Sequence, residues 1–227
     1  MAAKVDIVGT TISAPQMSEF FRLVALPESF VNGASFQLYL EHRDPFPQQG
    51  TSAAASKAEP VKKFALLADL GIITVPNNYD HATWLKTFAK KNRKKFYYYN
   101  DSINDENFSN PSRVLKPGEK LHVRVFKQVV SGMTTSEERM AFLSTQKTVL
   151  TGAQGASLVF EQKRDQLPKG YWHSSFGEKD RLWQDAGGYH CVPSVYARSD
   201  GGFEFRLGHF GLVWRDDDAL LCFCDVE

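Results

Sequence analysis

Hydrophobic and polar positions along the chain change period several times, and each change predicts an element. Val5 to Thr10 reads as a short strand. Ser13 and Gln16 then have the spacing of a capping box. Met17, Phe20, Phe21 and Val24 follow at helical spacing until Pro27 stops the helix. After the Asn32-Gly33 turn signal, Phe36, Leu38 and Leu40 alternate with polar neighbours, as in a half-buried strand. Asp44 to Pro60 has no period and little bulk, so it predicts an exposed loop over about 44–60. The 43 residues before it are too few for a stable separate domain, and a single domain over 1–227 is expected.

Phe64 to Val75 reads as one or two buried strands broken near Asp69-Leu70-Gly71. Asp80 has the position of a helix cap, and Trp84, Leu85 and Phe88 share that helix's inner face. Phe96 to Tyr99 is strand-like by propensity. Leu121, Val123 and Val125 alternate with His122 and Arg124 in a further strand. Thr134 with Glu137 predicts a capped helix carrying Met140, Leu143 and Leu150, with Gly152 as its C-cap. Strand character resumes at Ser157 to Glu161. From Tyr171 on the pattern reads as a β-meander: Cys191 to Ala197, Phe203 to Leu207, a strand leading to Trp214, and Leu220 to Val226. That last strand is apolar on both faces and is expected to be central. The sum, about three helices and eight to ten strands, predicts an α+β fold with a mostly antiparallel sheet.

Composition narrows the function classes. In 227 residues, 27 basic side chains balance 26 acidic ones. A charge of +1 is too small for a general polycation that binds nucleic acid or membranes. Three cysteines cannot build a disulfide framework in a chain this long. The N-terminal stretch lacks a signal-peptide apolar region, and the apolar run at 64–75 is too short to span a bilayer. A reducing cytoplasm is the expected compartment, and no membrane partner is expected. Walker A, G-x-G-x-x-G, H-E-x-x-H and G-x-S-x-G patterns are all missing, so no cofactor and no metal are expected.

Four stretches carry a resemblance. They are Val75 to Asp80, Ser112 to Phe126, Thr134 to Gly170 and Leu220 to Val226. Over about residues 64–227 the chain resembles a family of uncharacterised cytoplasmic proteins of candidate-phyla bacteria. The resemblance implies a bacterial cytoplasmic protein and carries no activity, cofactor or site residue with it.

Two patterns suggest chemistry. Lys86, Lys90, Lys91, Arg93, Lys94 and Lys95 contain no acidic residue among them, and the aromatic run with Tyr97 and Tyr99 follows. Cations neutralise phosphates and aromatic faces stack on bases, so this run predicts contact with single-stranded nucleic acid or another macromolecule. The plainer explanation is a solvated helix face leading into a core strand. The alternative reading is an enzyme or a small-ligand site for a sugar or nucleotide, built from Trp172, His173, Asp180, Trp183 and His190. Core tryptophans and turn aspartates explain the same pattern. Cys191, Cys222 and Cys224 with His190 and His209 would make a zinc site only if their strands were neighbours; buried free thiols are the simpler account. Asp216-Asp217-Asp218 reads as a turn. The leading expectation is a non-enzymatic binding protein. A structural or oligomerisation module is a further alternative, and the sequence does not fix the oligomeric state.

Overall fold

A computed structural model describes residues 5–7, 10–12 and 62–226. The chain divides into two compact units, Met1–Glu59 and Pro60–Glu227. In the first, β1 (Val5–Ile7) pairs antiparallel with β2 (Thr10–Ile12). The strand expected from Val5 to Thr10 is therefore a two-strand hairpin. The helix expected after Ser13, the strand after Asn32-Gly33 and the loop at 44–60 lie outside the described residues.

The second unit is a seven-stranded mixed sheet with three helices. Its strands are β3 (Phe64–Thr74), β4 (Tyr98–Tyr99), β5 (Lys120–Gln128), β6 (Tyr171–Ser174), β7 (Cys191–Ala197), β8 (Phe203–His209) and β9 (Asp218–Asp225). Their order across the sheet is β3-β5-β9-β6-β7-β8-β4. Two pairings, β6 with β9 and β4 with β8, are parallel, and the other four are antiparallel. The α+β class holds, and the sheet is mostly antiparallel but mixed, with two parallel pairings. The C-terminal meander is confined to β6-β7-β8. The last strand leaves it and inserts between β5 and β6, where both its faces are buried, as its two-sided apolar pattern requires. Trp214 makes only an isolated bridge to Thr134 and belongs to no strand.

Strand β3 is a single strand with two register shifts, one of them at the expected break near Asp69 to Gly71, but it is an edge strand and only partly buried. The second shift falls at Asp69 to Gly71. There Gly71 takes φ +69°, and its N–H donates to Asp69 Oδ1 at 2.8 Å. A side chain would be strained in that conformation, which explains the glycine at the bulge.

The three helices are α1 (Trp84–Asn92), α2 (Ser136–Thr145) and α3 (Gly152–Lys163). The strand that the sequence predicts at 157–161 is a helix in the structure. The stretch is the middle of α3, and every residue from Ala153 to Phe160 is buried. A helix buried on all sides has no polar stripe, so its short apolar run looks like a strand. Gly152 opens α3 rather than closing α2.

Capping also differs in detail. The capping box of α2 is Thr135 with Glu138, one residue after the expected Thr134 and Glu137. Asp80 accepts from Thr83 Oγ1 at 2.8 Å, but the free N–H groups of α1 find a distant acceptor. The Asp105 carboxylate takes Leu85 N at 2.7 Å and Lys86 N at 3.0 Å. Asp105→Ala removes both bonds and is expected to cost about 1 kcal/mol in urea unfolding, the usual size of a lost N-terminal cap.

Each sheet face packs a separate core. On one face α1 and α3 bury Phe88, Phe96, Phe160 and Phe205, with Phe96 stacked on Phe160 at 4.1 Å between ring centroids. On the other, Leu143 of α2 meets Phe64, Phe126, Leu220 and Cys222, with Phe176, Phe210 and Trp214 from loops. This second layer is incomplete. It covers the β3-β5-β9 side and leaves part of β6, β7, β8 and β4 open.

Candidate ligand-binding site

On the open part of the sheet, alternation sends Trp172, Ser174, Ser194, Tyr196, Glu204, Arg206 and Gly208 to one side. Registry then arranges them in rows. Asp218, Trp172, Tyr196, Glu204 and Tyr98 are successive cross-strand partners in one row. Ser174, Ser194 and Arg206 form the next. The first row is aromatic and stacked: Trp172 lies on Tyr196 at 4.5 Å with an 18° interplanar angle. The Arg206 guanidinium sits 4.6 Å from the Tyr98 ring centroid and 5.8 Å from that of Trp172.

Ser194 in the second row and Gly208 beyond it are small and leave a depression beside the stack. Its volume is about 240 Å³, and its lining includes Trp172, Ser194, Arg206, Gly208, Trp214 and Asp218. Ser194 and Gly208 form the floor. A Cβ on Gly208 would lie 3.2 Å from the Trp214 ring, so glycine is what allows that ring to sit over the strand. Leu212 and Val213 are more than half exposed at the rim.

The Trp214 wall is held from below. Its indole N–H donates to Ser136 Oγ at 2.7 Å, and that hydroxyl donates to Phe210 O at 2.6 Å. Arg139, fully buried, reaches the same loop. Its guanidinium donates to Thr134 Oγ1 at 2.9 Å, Arg215 O at 3.0 Å and Asp218 O at 2.5 Å, and lies 5.4 Å from the Trp214 ring centroid. Burial holds the Arg139 pKa down to about 10, so it remains charged at neutral pH.

Charges around the depression nearly cancel. The Glu204 carboxylate is buried and accepts from Arg206 at 2.6 Å and Arg198 at 2.9 Å. Arg198 also pairs with Asp200 at 2.9 Å. The Asp218 carboxylate accepts Arg215 N at 2.7 Å, and burial raises its pKa from the ordinary value. A site of this kind offers an aromatic wall, hydroxyl and carboxylate partners and little net field. It suits a polar but uncharged ring better than a phosphate.

The basic run separates into different environments. Lys91 pairs with Glu161 and Arg93 with Asp101, while Lys95 Nζ donates to Asn92 Oδ1 at 2.8 Å. Lys86, Lys90 and Lys94 are exposed and have no acidic partner among the described residues. Tyr97 is 79% exposed, with the Arg198 guanidinium 4.8 Å from its ring centroid. Tyr99 must be removed from the proposed stacking surface. It is buried in the aromatic core against Phe88 and Phe205, and its hydroxyl donates to Ile103 O at 3.1 Å.

The second set does not come together either, and only Trp172 lines the depression. His173, its neighbour on β6, points to the opposite face and is fully buried. Its Nδ1–H donates to Val195 O at 3.0 Å, and burial lowers its pKa to about 4. It is neutral at physiological pH and out of reach as an acid or base at the slot. Asp180 is exposed on a short 3₁₀ turn at Lys179–Arg181. Trp183 packs half-buried against the core, 6.5 Å from Phe108. His190 faces Gln184 at 2.9 Å.

The cysteines divide in the same way. Cys222 and Cys224 share a face with sulfurs 3.8 Å apart, but β6 separates their strand from Cys191. Burial pushes the Cys191 and Cys222 thiols up to about 11. Cys224 is half-buried and accepts from Arg124 Nη2 at 3.4 Å. Iodoacetamide at pH 8 is therefore expected to label Cys224 first in the folded protein, with Cys191 and Cys222 reacting only on unfolding. Peptide mass mapping reads the order, and equal labelling of all three would contradict it.

Tyr98, Ser194, Tyr196, Arg206, Gly208 and Trp214 do not stand out in the sequence as site residues, and Asp218 stands out only as part of a turn. The strand alternation that aligns them was legible, but the neighbour order that makes them adjacent was not. No helix among the described residues is long and apolar enough to cross a membrane. No family model matches the chain, and neither a curated protein nor a solved structure matches it.

Proposed function

We propose that the protein is a non-enzymatic binding module that holds one uncharged polar ring, of the sugar class, in the slot between Trp172 and Trp214. The observation that carries this reading is the combination of a tryptophan wall with a floor of small residues on the part of the sheet that the second layer leaves open. Ligand pockets usually measure roughly 300–1,000 Å³, so a slot of about 240 Å³ suits one ring of a larger molecule. Arg206, Ser194 and Asp218 supply donors and acceptors at its edge, and Glu204 neutralises the nearby arginines. The absence of surplus positive charge there speaks against a phosphate chain. The exposed Lys86, Lys90, Lys94 and Tyr97 leave nucleic acid as the competing partner class. Three unpaired cysteines and the bacterial resemblance support a cytoplasmic setting.

Tryptophan fluorescence titration with monosaccharides and short oligosaccharides tests the reading, with nucleosides and single-stranded RNA as comparators. Saturable quenching by a sugar is expected. Trp172→Ala should weaken it at least about tenfold, the loss of roughly 1.4 kcal/mol of contact. Tyr97→Ala, on a side chain outside the slot, should leave it unchanged. Binding of RNA alone, lost when Lys86, Lys90 and Lys94 are neutralised, would replace this reading with the basic-surface one.

A further inference from the structure

At the end of the β7-β8 hairpin, Asp185, Cys191 and His209 each offer one donor atom, and the three atoms lie within 4.8 Å of one another. We infer that this cluster is a binding site for a divalent transition metal of the zinc class, with three protein ligands and a fourth position left for water or a ligand group. Asp185 and Cys191 lie outside the sugar slot, whereas His209 also lines it.

Each donor is placed by its own element. Cys191 and His209 are direct cross-strand partners, which sends both side chains to one side of the sheet. Asp185 belongs to the loop that crosses these strand ends. Its Oδ1 is fully occupied by the N–H groups of Gly187 at 2.9 Å and Tyr189 at 3.0 Å, which fixes the carboxylate and turns Oδ2 inward. Oδ2 meets His209 Nε2 at 3.1 Å. The Tyr189 ring stacks on the imidazole at 4.8 Å, only 7° from parallel, and fixes its plane. Asp185 and Cys191 come from one segment and His209 from the neighbouring strand, and Tyr189 touches all three: its N–H donates to Asp185, its carbonyl accepts from the Cys191 thiol at 3.4 Å, and its ring stacks on His209.

The donor set decides the ion. One thiolate, one imidazole and one carboxylate match the ligands zinc takes, whereas calcium and magnesium require mostly oxygen. Tetrahedral zinc, with bonds of roughly 2.0–2.3 Å, needs donor separations of about 3.3–3.8 Å. The Asp185–His209 pair is already near that range, and Cys191 must approach by up to about 1 Å. A metal would replace the protons on the thiol and between carboxylate and imidazole.

Cobalt(II), a spectroscopic substitute for zinc, provides the test. Chelator-treated full-length protein is titrated with cobalt(II) alone, then with zinc. One equivalent is expected, giving a thiolate-to-cobalt charge-transfer band and visible bands of tetrahedral intensity, both abolished by zinc. Cys191→Ala should remove the charge-transfer band, and His209→Gln should weaken cobalt binding at least about tenfold. Since Cys191 is buried, far-ultraviolet circular dichroism of each variant is recorded, and the half-exposed His209→Gln carries the test if Cys191→Ala unfolds. Failure of the native protein to bind cobalt, or an unchanged spectrum and affinity in folded His209→Gln, would overturn the assignment. Sugar titration of the cobalt-free protein keeps this outcome separate from that of the slot.

Discussion

Arg139→Ala is expected to lower the stability of the second unit by roughly 3–5 kcal/mol. The side chain is fully buried, and no carboxylate pairs with it directly among the described residues. Its charge is met instead by two backbone carbonyls, a hydroxyl and the faces of Phe64 and Trp214. Truncation leaves a cavity and strips partners from the Arg215 and Asp218 carbonyls together. Arg139→Met separates the two contributions, because it keeps most of the packing and loses every hydrogen bond. It should retain part of the stability but still loosen the 214–218 turn. Urea unfolding of both variants reads the size, and a loss below about 1 kcal/mol for alanine would show that the guanidinium is not the anchor of this loop.

The second large effect is acid destabilisation through His173. The imidazole titrates near 6.5 in an unfolded chain, and burial lowers it to about 4 in the folded one. Its neutral form is favoured by folding, so this contribution is complete above pH 6.5. As pH falls from 6.5 toward 4, the unfolded chain takes up a proton that the folded one excludes. Stability then drops by about 1.4 kcal/mol per pH unit, or about 3 kcal/mol over the window. His173→Asn places an amide N–H where Nδ1 donates to Val195 O and does not titrate, so its stability should be flatter over that range. Parallel urea titrations at pH 7, 6, 5 and 4.5 distinguish the two proteins. Parallel curves for native and variant protein would show that His173 is not the acid-sensitive group.

How far the sequence revealed this molecule depends on the kind of signal. Periods survived: Trp84, Leu85 and Phe88 do form the buried face of α1, and β5 and β9 lie where alternation and two-sided apolarity place them. The buried helix α3 was misread because burial on every side erases the helical stripe. Long-range order was not legible. Nothing local to Leu220–Asp225 indicates that the last strand crosses back to pair with β5 and, in parallel, with β6. The site suffered most from this. Trp172 stood out as an aromatic, but Ser194 and Gly208 matter for being small, and smallness has meaning only once their neighbours are known. The basic run was real as composition. Folding gave Lys91 and Arg93 acidic partners and took Tyr99 into the core.

The central claim is that the depression beside Trp172 and Trp214 is a recognition site. ¹H–¹⁵N correlation spectra during a sugar titration address it most directly, because every tryptophan carries its own indole N–H reporter. The indole signal of Trp172 and the backbone signals of Ser194, Arg206 and Gly208 are expected to shift together and saturate, while Trp84, buried on the opposite face, stays fixed. Saturable binding whose shifts fall on Lys86, Lys90, Lys94 and Tyr97, with the slot signals unmoved, would contradict it.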